Sequence, residues 1–518
     1  MNGKKRIETM WDKSQYQKLH QLRHQAAAGG GPDRVRRQHE AGKLTARERL
    51  DILFDPGTFV EVGGLIETRI TDCGMDTRRT PGDGVITGYG KINGRLACAS
   101  SEDFTVIGGT LGEAHAEKIC AIQDLAMDMR VPIILINDSG GARIEEGVAS
   151  LNGYSGMFLR NTRASGVIPQ IAAIMGPCAG GACYSPAICD FVFMVEESSY
   201  MFITGPQVVK AVTGGTVSSE ELGGTRIHMT ESGAAHFSYP DDRACLEGIR
   251  TLLAYLPQNA EERPPVLPGT PVDRSGEIEE LVPQNSRKPY NVRGVIQTMV
   301  DAGSFLEIQP LWAGNAVVGL GRMDGRTVGF VANQPACKSG SLDRDSSDKM
   351  ARFIRTCDCF GIPLVVLIDV PAFLPGIEQE HSGIIRHGAK LLYAFSEATV
   401  PKISLIMRKA YGGAYIAMNS KRMGADMVFA WPIAEIAVMG AEGAVEILRR
   451  RELAADPDCR DRLTEEYRER YMNPYLAAAR GYIDEVVDPE DTRRRIAAAL
   501  EALAGKPRSM GRHGNIPL

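Results

Sequence analysis

Apolar residues along the chain gather in short dense runs. The clearest are Val131-Pro132-Ile133-Ile134-Leu135-Ile136 and Ile362-Pro363-Leu364-Val365-Val366-Leu367-Ile368, each closed by a polar residue, Asn137 or Asp369. Runs of this length without polar alternation predict strands buried on both faces. Elsewhere β-type residues flank a turn dipeptide: Gly84-Val85-Ile86-Thr87-Gly88-Tyr89-Gly90 leads to Asn93-Gly94-Arg95, and Asn315-Ala316-Val317-Val318-Gly319-Leu320-Gly321 leads to Asp324-Gly325-Arg326. Asn-Gly and Asp-Gly in that setting predict hairpins. Helices are expected over 113–129 and 347–360, and strands alternating with helices at this spacing predict an α/β protein.

Each of these patterns occurs twice, in the same order. Thr45-Ala46-Arg47 through Phe59-Val60-Glu61 also returns, as Asn291-Val292-Arg293 through Phe305-Leu306-Glu307. The chain is therefore an internal duplication. Its halves meet in a stretch rich in proline and polar residues, 257–289, which contains Pro264-Pro265 and Pro268 and reads as the linker. Two domains are expected, 1–260 and 261–518.

The most informative repeat is Ile168-Pro169 through Gly180-Gly181-Ala182 against Val400-Pro401 through Gly412-Gly413-Ala414, with the Gly-Gly pair at the same distance from the proline in both. Each copy reads as a buried strand, a tight turn and a glycine-rich entry into a helix. Glycine lets the backbone approach a ligand, and the first N–H groups of a helix have no partners inside it. Such a turn suits an oxyanion, and two matched turns suggest two anions handled in one reaction.

Composition narrows the class. The chain of 518 residues is 43% hydrophobic and 24% charged with a formal net charge of -5, so no general positive excess points to nucleic acid. Eleven cysteines show no framework spacing, and no C-x-x-C occurs, which favours a reduced cytoplasmic protein over a disulfide or zinc protein. Residues 1–13 are charged and lack the apolar core of a secretory signal, and no apolar run reaches the ~18 residues a membrane helix needs. Residues 1–48 read as a polar, basic helical arm broken at Gly29-Gly30-Gly31-Pro32. Its Arg34, Arg36, Arg37 and Lys43 could meet phosphates, although a solvated helix face is the plainer reading. The charged stretch 442–471 reads as solvent-facing or as a partner surface.

No nucleophile elbow, zinc-binding histidine pair or phosphate-binding P-loop is present. Beside the first repeat, Asn137-Asp138-Ser139-Gly140-Gly141-Ala142-Arg143 could expose successive N–H groups to an adenine edge, a phosphate or a carbonyl oxygen; a tight structural turn reads equally well. Its counterpart, 369–376, carries Ala372 and Phe373 and is more apolar, suited to a flat hydrophobic ring. His387 reads as a helix-surface or packing histidine. No acid–base couple stands at both repeats, so a substrate or cofactor is expected to supply the base.

These motifs resemble the biotin-dependent acyl-CoA carboxyltransferases. The match rests on 42–50, 137–143, 176–182, Gly383-Ile384-Ile385-Arg386-His387-Gly388-Ala389-Lys390, Arg408-Lys409-Ala410-Tyr411-Gly412-Gly413-Ala414-Tyr415, and the terminal Asn515-Ile516-Pro517-Leu518. The resemblance implies two tandem crotonase-like α/β domains, assembled as a hexamer with each active site between two subunits. The first half would hold acyl-CoA and the second carboxybiotin. The N–H groups of Gly180 and Gly181 would stabilise a thioester enolate, and those of Gly413 and Ala414 the biotin ureido oxygen. Gly140, Gly141, Ala142, Arg143, Tyr184 and Ile416 would line the acyl-CoA side; Ala372, Phe373, Tyr411 and Gly412 would line the biotin side, with no metal. Biotin itself would be the base. It would arrive on a separate biotin carboxyl carrier protein, charged by a biotin carboxylase or coupled to membrane decarboxylase subunits, because no biotinylation motif or carboxylase region occurs here.

Propionyl-CoA/methylmalonyl-CoA is the expected pair. One departure bears on it: after Tyr415 the propionyl-CoA carboxylase pattern carries aspartate, where this chain has Ile416, while Ala372 replaces a usual glycine. An acetyl-CoA or other acyl-CoA carboxylase is the rival in class. A duplicated crotonase-type hydratase or isomerase, or a non-catalytic scaffold for carrier domains, are the rivals outside it.

Overall fold

A computed structural model describes residues 13–271, 273–507 and 513–517. Two mixed sheets form, one from each half. The first contains β1 (Val60–Val62), β2 (Val85–Ile92), β3 (Arg95–Glu102), β4 (Ile133–Ser139), β5 (Gln170–Ala179), β6 (Phe191–Val195), β7 (Tyr200–Phe202) and β8 (Phe237–Tyr239). The second contains β9 (Leu306–Ile308), β10 (Ala316–Met323), β11 (Arg326–Asn333), β12 (Leu364–Val370), β13 (Lys402–Tyr411), β14 (Met427–Ala430), β15 (Glu435–Ala437) and β16 (Glu485–Val486). Their orders run β1-β2-β3-β4-β5-β6-β8 and β9-β10-β11-β12-β13-β14-β16, with β7 on β5 and β15 on β13.

Both predicted hairpins are present, and their turns adopt the left-handed pairs Asn93 (φ 52°)–Gly94 (φ 77°) and Asp324 (φ 51°)–Gly325 (φ 76°). β4 and β12 are buried at every position and pair in parallel on both sides, as their unbroken apolar runs require. The expected helices form as Glu113–Met129 and Arg344–Cys359.

The duplication extends to ion pairs and caps. Arg47–Glu61 (3.0 Å) recurs as Arg293–Glu307 (2.5 Å). Asp55 accepts the N–H groups of Asn93 and Gly94 and pairs with Arg250; Asp301 accepts those of Asp324 and Gly325 and pairs with Arg493. Buried Lys118 donates to Gly82 O, and buried Lys349 to Gln309 O, Trp312 O and Ala316 O.

One apolar core crosses between the halves, joining Phe193, Phe237 and Leu246 to Ile308, Met350 and Phe395. Complete burial of each such side chain contributes about 1.5–3 kcal/mol. Polar contacts follow the same seam: Tyr255 Oη donates to Ser304 O (2.7 Å), and Arg322 lies 4.0 Å over the Tyr255 ring. The stretch that reads as a linker is partly structured, with short helices Ser275–Glu277 and Ile278–Leu281, and Leu267 N–H tied to Gly325 O.

The basic arm forms helices Lys13–Ala27 and Pro32–Glu40; its part before Lys13 lies outside the described residues. One expectation for it is corrected. Lys43 is not a surface cation, because its ammonium lies 2.6 Å from buried Asp138. Arg34 donates to Thr105 O, and Arg36 pairs with Asp33 in solvent. Among the described residues no helix is long and apolar enough to cross a membrane.

Candidate functional site

Each Gly-Gly repeat forms the strand–turn–helix its sequence predicts. β5 ends at Ala179, Gly180 turns at φ +66°, a tight helical turn spans Gly180–Cys183, and a helix continues over Tyr184–Ile188. β13 ends at Tyr411, Gly412 turns at φ +56°, and the helix Gly412–Ala417 starts at once. Only glycine takes this backbone without strain. At Gly412 a side chain is excluded twice, since a Cβ would also lie 2.9 Å from Val438 O.

The N–H groups opening each helix have no acceptor within it. Gly180 and Gly181 are the strict equivalents of Gly412 and Gly413. The two expected donor pairs, Gly180/Gly181 and Gly413/Ala414, are therefore displaced by one residue. The tighter first turn of the first-half helix, against an immediate α-helix in the second, is the local difference that accompanies this shift.

The surroundings also differ. Behind Gly181 stands Tyr154, whose ring a Cβ would meet at 3.3 Å; around Gly413 nothing lies within 4 Å of that position. Tyr154 stacks on Phe158 (5.9 Å), which meets Tyr184 edge-on (6.1 Å). Tyr184 and Ile416, equivalent in the repeat, are 47% and 46% exposed, so both offer a face to a ligand or a neighbouring chain. Tyr411 Oη donates to Glu435, and burial, with that carboxylate second, pushes its pKa up and keeps it a neutral donor. Cys183 Sγ donates to Gly180 O (2.9 Å), and burial raises its thiol pKa.

Of the two readings of the loop 139–143, the structure favours the tight turn, since three of its N–H groups are taken. Gly140 N–H goes to Gly108 O (3.0 Å), Gly141 N–H to Ser139 Oγ (3.2 Å) and Arg143 N–H to Leu111 O (2.9 Å). The guanidinium of Arg143 is 1% exposed, bonded to Asp83, Glu146 and Thr110 O, so it braces the loop from inside and cannot reach a ligand. Of this loop, Gly140 is exposed and Ala142 half-buried. On the second side Ala372 O accepts Leu342 N–H (3.0 Å), while the Phe373 ring packs on Gly388, where a Cβ would lie 3.1 Å away. His387 bridges two helices through Asp348 (2.8 Å), which also holds Lys390 (3.0 Å).

Some neighbours of the turns escaped sequence reasoning. Ile203 and Val438 lie just past β7 and β15 and are 61% and 80% exposed. Their carbonyls are the nearest atoms to the Cβ positions of Gly180 and Gly412, so each turn has an aliphatic rim at the same place. An apolar residue just past a short strand in both halves was the available signal. Tyr154 left none, because its partner position in the repeat is Arg386.

The structure is a duplicated α/β chain with one glycine turn at the end of a central strand in each half. The carboxyl transferase domain matches residues 37–516, and the chain belongs to that family: it is a carboxyltransferase. It is 56% identical over 507 residues to the carboxyltransferase subunit of propionyl-CoA carboxylase from Haloferax mediterranei, covering 96% of this chain and 98% of that one. It is 52% identical over 510 residues to methylmalonyl-CoA decarboxylase subunit alpha of Propionigenium modestum, covering 97% and 98%. The hexameric transcarboxylase 12S structure, with methylmalonyl-coenzyme A and methylmalonic acid bound, superposes with a TM-score of 0.94 at 50% identity, covering 98% of this chain and all of that one. The two tandem crotonase-like domains implied by the motifs are the fold observed.

Proposed function

We propose that this chain is the subunit that moves a carboxyl group between carboxybiotin on a separate carrier protein and the α-carbon of a short acyl-CoA, with propionyl-CoA/methylmalonyl-CoA as the pair. The observation that carries this reading is the matched pair of turns, Gly180-Gly181 and Gly412-Gly413-Ala414, one in each domain. The relatives named for propionyl-CoA and methylmalonyl-CoA agree with it along almost the whole chain.

In this reading the first domain, 1–260, takes the acyl-CoA. The N–H groups of Gly180 and Gly181 receive the thioester oxygen and stabilise the enolate formed when the α-carbon loses its proton or carboxyl group. Donors of this kind are each worth about 3–4 kcal/mol of barrier. The second domain, 261–518, presents the N–H groups of Gly413 and Ala414 to the biotin ureido oxygen, with Ala372, Phe373, Tyr411 and Gly412 around it. The space around Gly413 leaves room for such a ring. Biotin, when bound, supplies the transferable carboxyl group and the proton acceptor, which accounts for turns without a side-chain base. Tyr184 and Ile416 form the variable wall of the acyl pocket, and Gly140 and Ala142 flank it by shape.

The exposed aliphatic rims, Ile203 and Val438, favour covering by another subunit, in keeping with the hexamer of the transcarboxylase relative. The partners are then a biotin carrier with a biotin carboxylase, or membrane decarboxylase subunits. The eleven cysteines, without framework spacing, favour the cytoplasm.

The test is a turnover panel of acetyl-, propionyl- and butyryl-CoA and their carboxylated forms with biotinylated carrier. Fastest turnover of propionyl-CoA or methylmalonyl-CoA supports the assignment. Preference for the acetyl or butyryl pair moves the substrate, and no transfer with any of them removes the function.

A further inference from the structure

In both halves the strand beneath the glycine turn leaves register at one buried aspartate. β4 and β5 pair Asn137 with Ile174 and then Ser139 with Cys178; β12 and β13 pair Ile368 with Ile406 and then Val370 with Ala410. The residues between are Asp138 and Asp369, both fully buried, opposite Met175-Gly176-Pro177 and Met407-Arg408-Lys409. A bulge of this kind bends its strand and re-aims the residues beyond it. Here those residues are Gly180-Gly181 and Gly412-Gly413.

Each bulge is locked by its carboxylate. Asp369 Oδ1 accepts the Lys409 N–H (3.0 Å) and Oδ2 the Arg408 Nε (2.8 Å), while Asp369 N–H goes to Asn333 Oδ1 (2.9 Å). Arg408 then anchors the strand end to Pro283 O, Asn285 O and Lys288 O. In the first half Asp138 N–H goes likewise to the side chain at the matching position, Glu102 (3.0 Å). Its carboxylate, however, takes Lys43 (2.6 Å) from the arm and Arg49 (2.9 Å) from the helix Ala46–Leu53 that follows it, and Arg49 reaches Met175 O in the bulge (2.9 Å). The repeat explains the exchange. Arg408 corresponds to Gly176, where a Cβ would lie 1.9 Å from Asp138 Oδ1, and Arg49 corresponds to buried Val295. The arginine comes from a helix, Ala46–Leu53, in the first half and from the strand itself in the second, while the carboxylate and the bulge have stayed.

We infer that Asp138 and Asp369 are positioning residues, each setting the aim of one glycine turn, so that the two half-sites can be disturbed separately. The inference rests on the assignment of acyl-CoA to the first turn and biotin to the second. It predicts that Asp369→Asn in the full chain raises the KM for free biotin, or lowers kcat, in biotin-dependent decarboxylation of methylmalonyl-CoA by at least about tenfold. Its Kd for propionyl-CoA, measured by calorimetry, stays within twofold of the unaltered chain. Asp138→Asn does the reverse. Should Asp369→Asn fail to fold, Arg408→Lys, which keeps the charge but not the Nε donor, shows the same selective loss at smaller amplitude. Folded variants that lose both ligands equally, or neither, overturn the inference. Failure of the two-site assignment would look different: bulky residues at Gly181 and Gly413 would then leave turnover unchanged.

Discussion

The Tyr154 ring lies 3.3 Å from where a Cβ on Gly181 would stand, whereas the equivalent Gly413 has nothing within 4 Å. The two turns are one motif with different backing, so the same substitution has different consequences. Gly413→Val places its side chain in open space, where the proposed biotin site lies. Transfer to and from biotin should fall on the order of 10²-fold, with Tm held within about 2 °C. Gly181→Val should lose activity and also stability, because the ring must move. Steady-state turnover beside thermal denaturation separates the two effects; equal Tm losses would remove the asymmetry.

Gly176 is required for a steric reason, since a Cβ there would collide with Asp138 Oδ1 (1.9 Å) and approach Lys43 Nζ (2.6 Å). Gly176→Ala should push the carboxylate away from Arg49 and leave buried charges unpaired. Breaking such a set costs about 3–5 kcal/mol. A fall in Tm of roughly 6 °C or more is expected by differential scanning calorimetry. Gly413→Ala, without a neighbour to strike, serves as the control.

The pattern of apolar runs and turn dipeptides carried the fold, because buried parallel strands and Asn-Gly or Asp-Gly hairpins are local properties. The repeat carried the location of both turns for the same reason. What stayed hidden was long-range. Lys43 read as a cation of a basic run and Arg143 as a residue of the acyl-CoA side, and nothing local shows that they pair with Asp138 and with Asp83 and Glu146. The loop 139–143 could be read either as a row of donors or as a tight turn, because its acceptors, Gly108 O and Leu111 O, belong to another segment. Duplicated sequence aligned the strands but could not reveal that Arg49 and Arg408 occupy the same charge site from different elements.

His513 offers a pH test. Its Nε2 lies 2.6 Å from Asp358 Oδ2, and the hydrogen bond to Asp358 raises the imidazole pKa from 6.5 to about 10. A histidine raised on folding stabilises fully below pH 6.5 and loses that contribution as pH rises through about 10. Asp358 is held below its ordinary value of 3.8 despite burial, by His513 and the N–H groups of Thr399 and Val400, so its share is lost in acid. The Tm advantage of the unaltered chain over His513→Gln should be greatest near pH 5–6 and shrink steadily toward pH 10. A gap that is flat across this range would show that the imidazole is not charged in the fold.

Two residues further on, Asn515 ties the halves together from a fully buried position. Its Nδ2 donates to Asp190 Oδ1 and Thr356 Oγ1, both at 2.8 Å, and its N–H to Ser165 Oγ (2.7 Å). Asp190 and Ser165 belong to the first half and Thr356 to the second, while Arg352 of the second half donates to Asn515 O and to Cys189 O. Asn515→Ala leaves Asp190 short of a donor in a setting where burial already raises its pKa. The cost should be about 1–3 kcal/mol. Because the lost bonds cross the seam, the loss should emerge as weaker coupling between domains. Calorimetric unfolding should broaden or split, and protease should cut earlier within 257–289. A lower Tm with a single transition as sharp as before would place the role of Asn515 in one half alone.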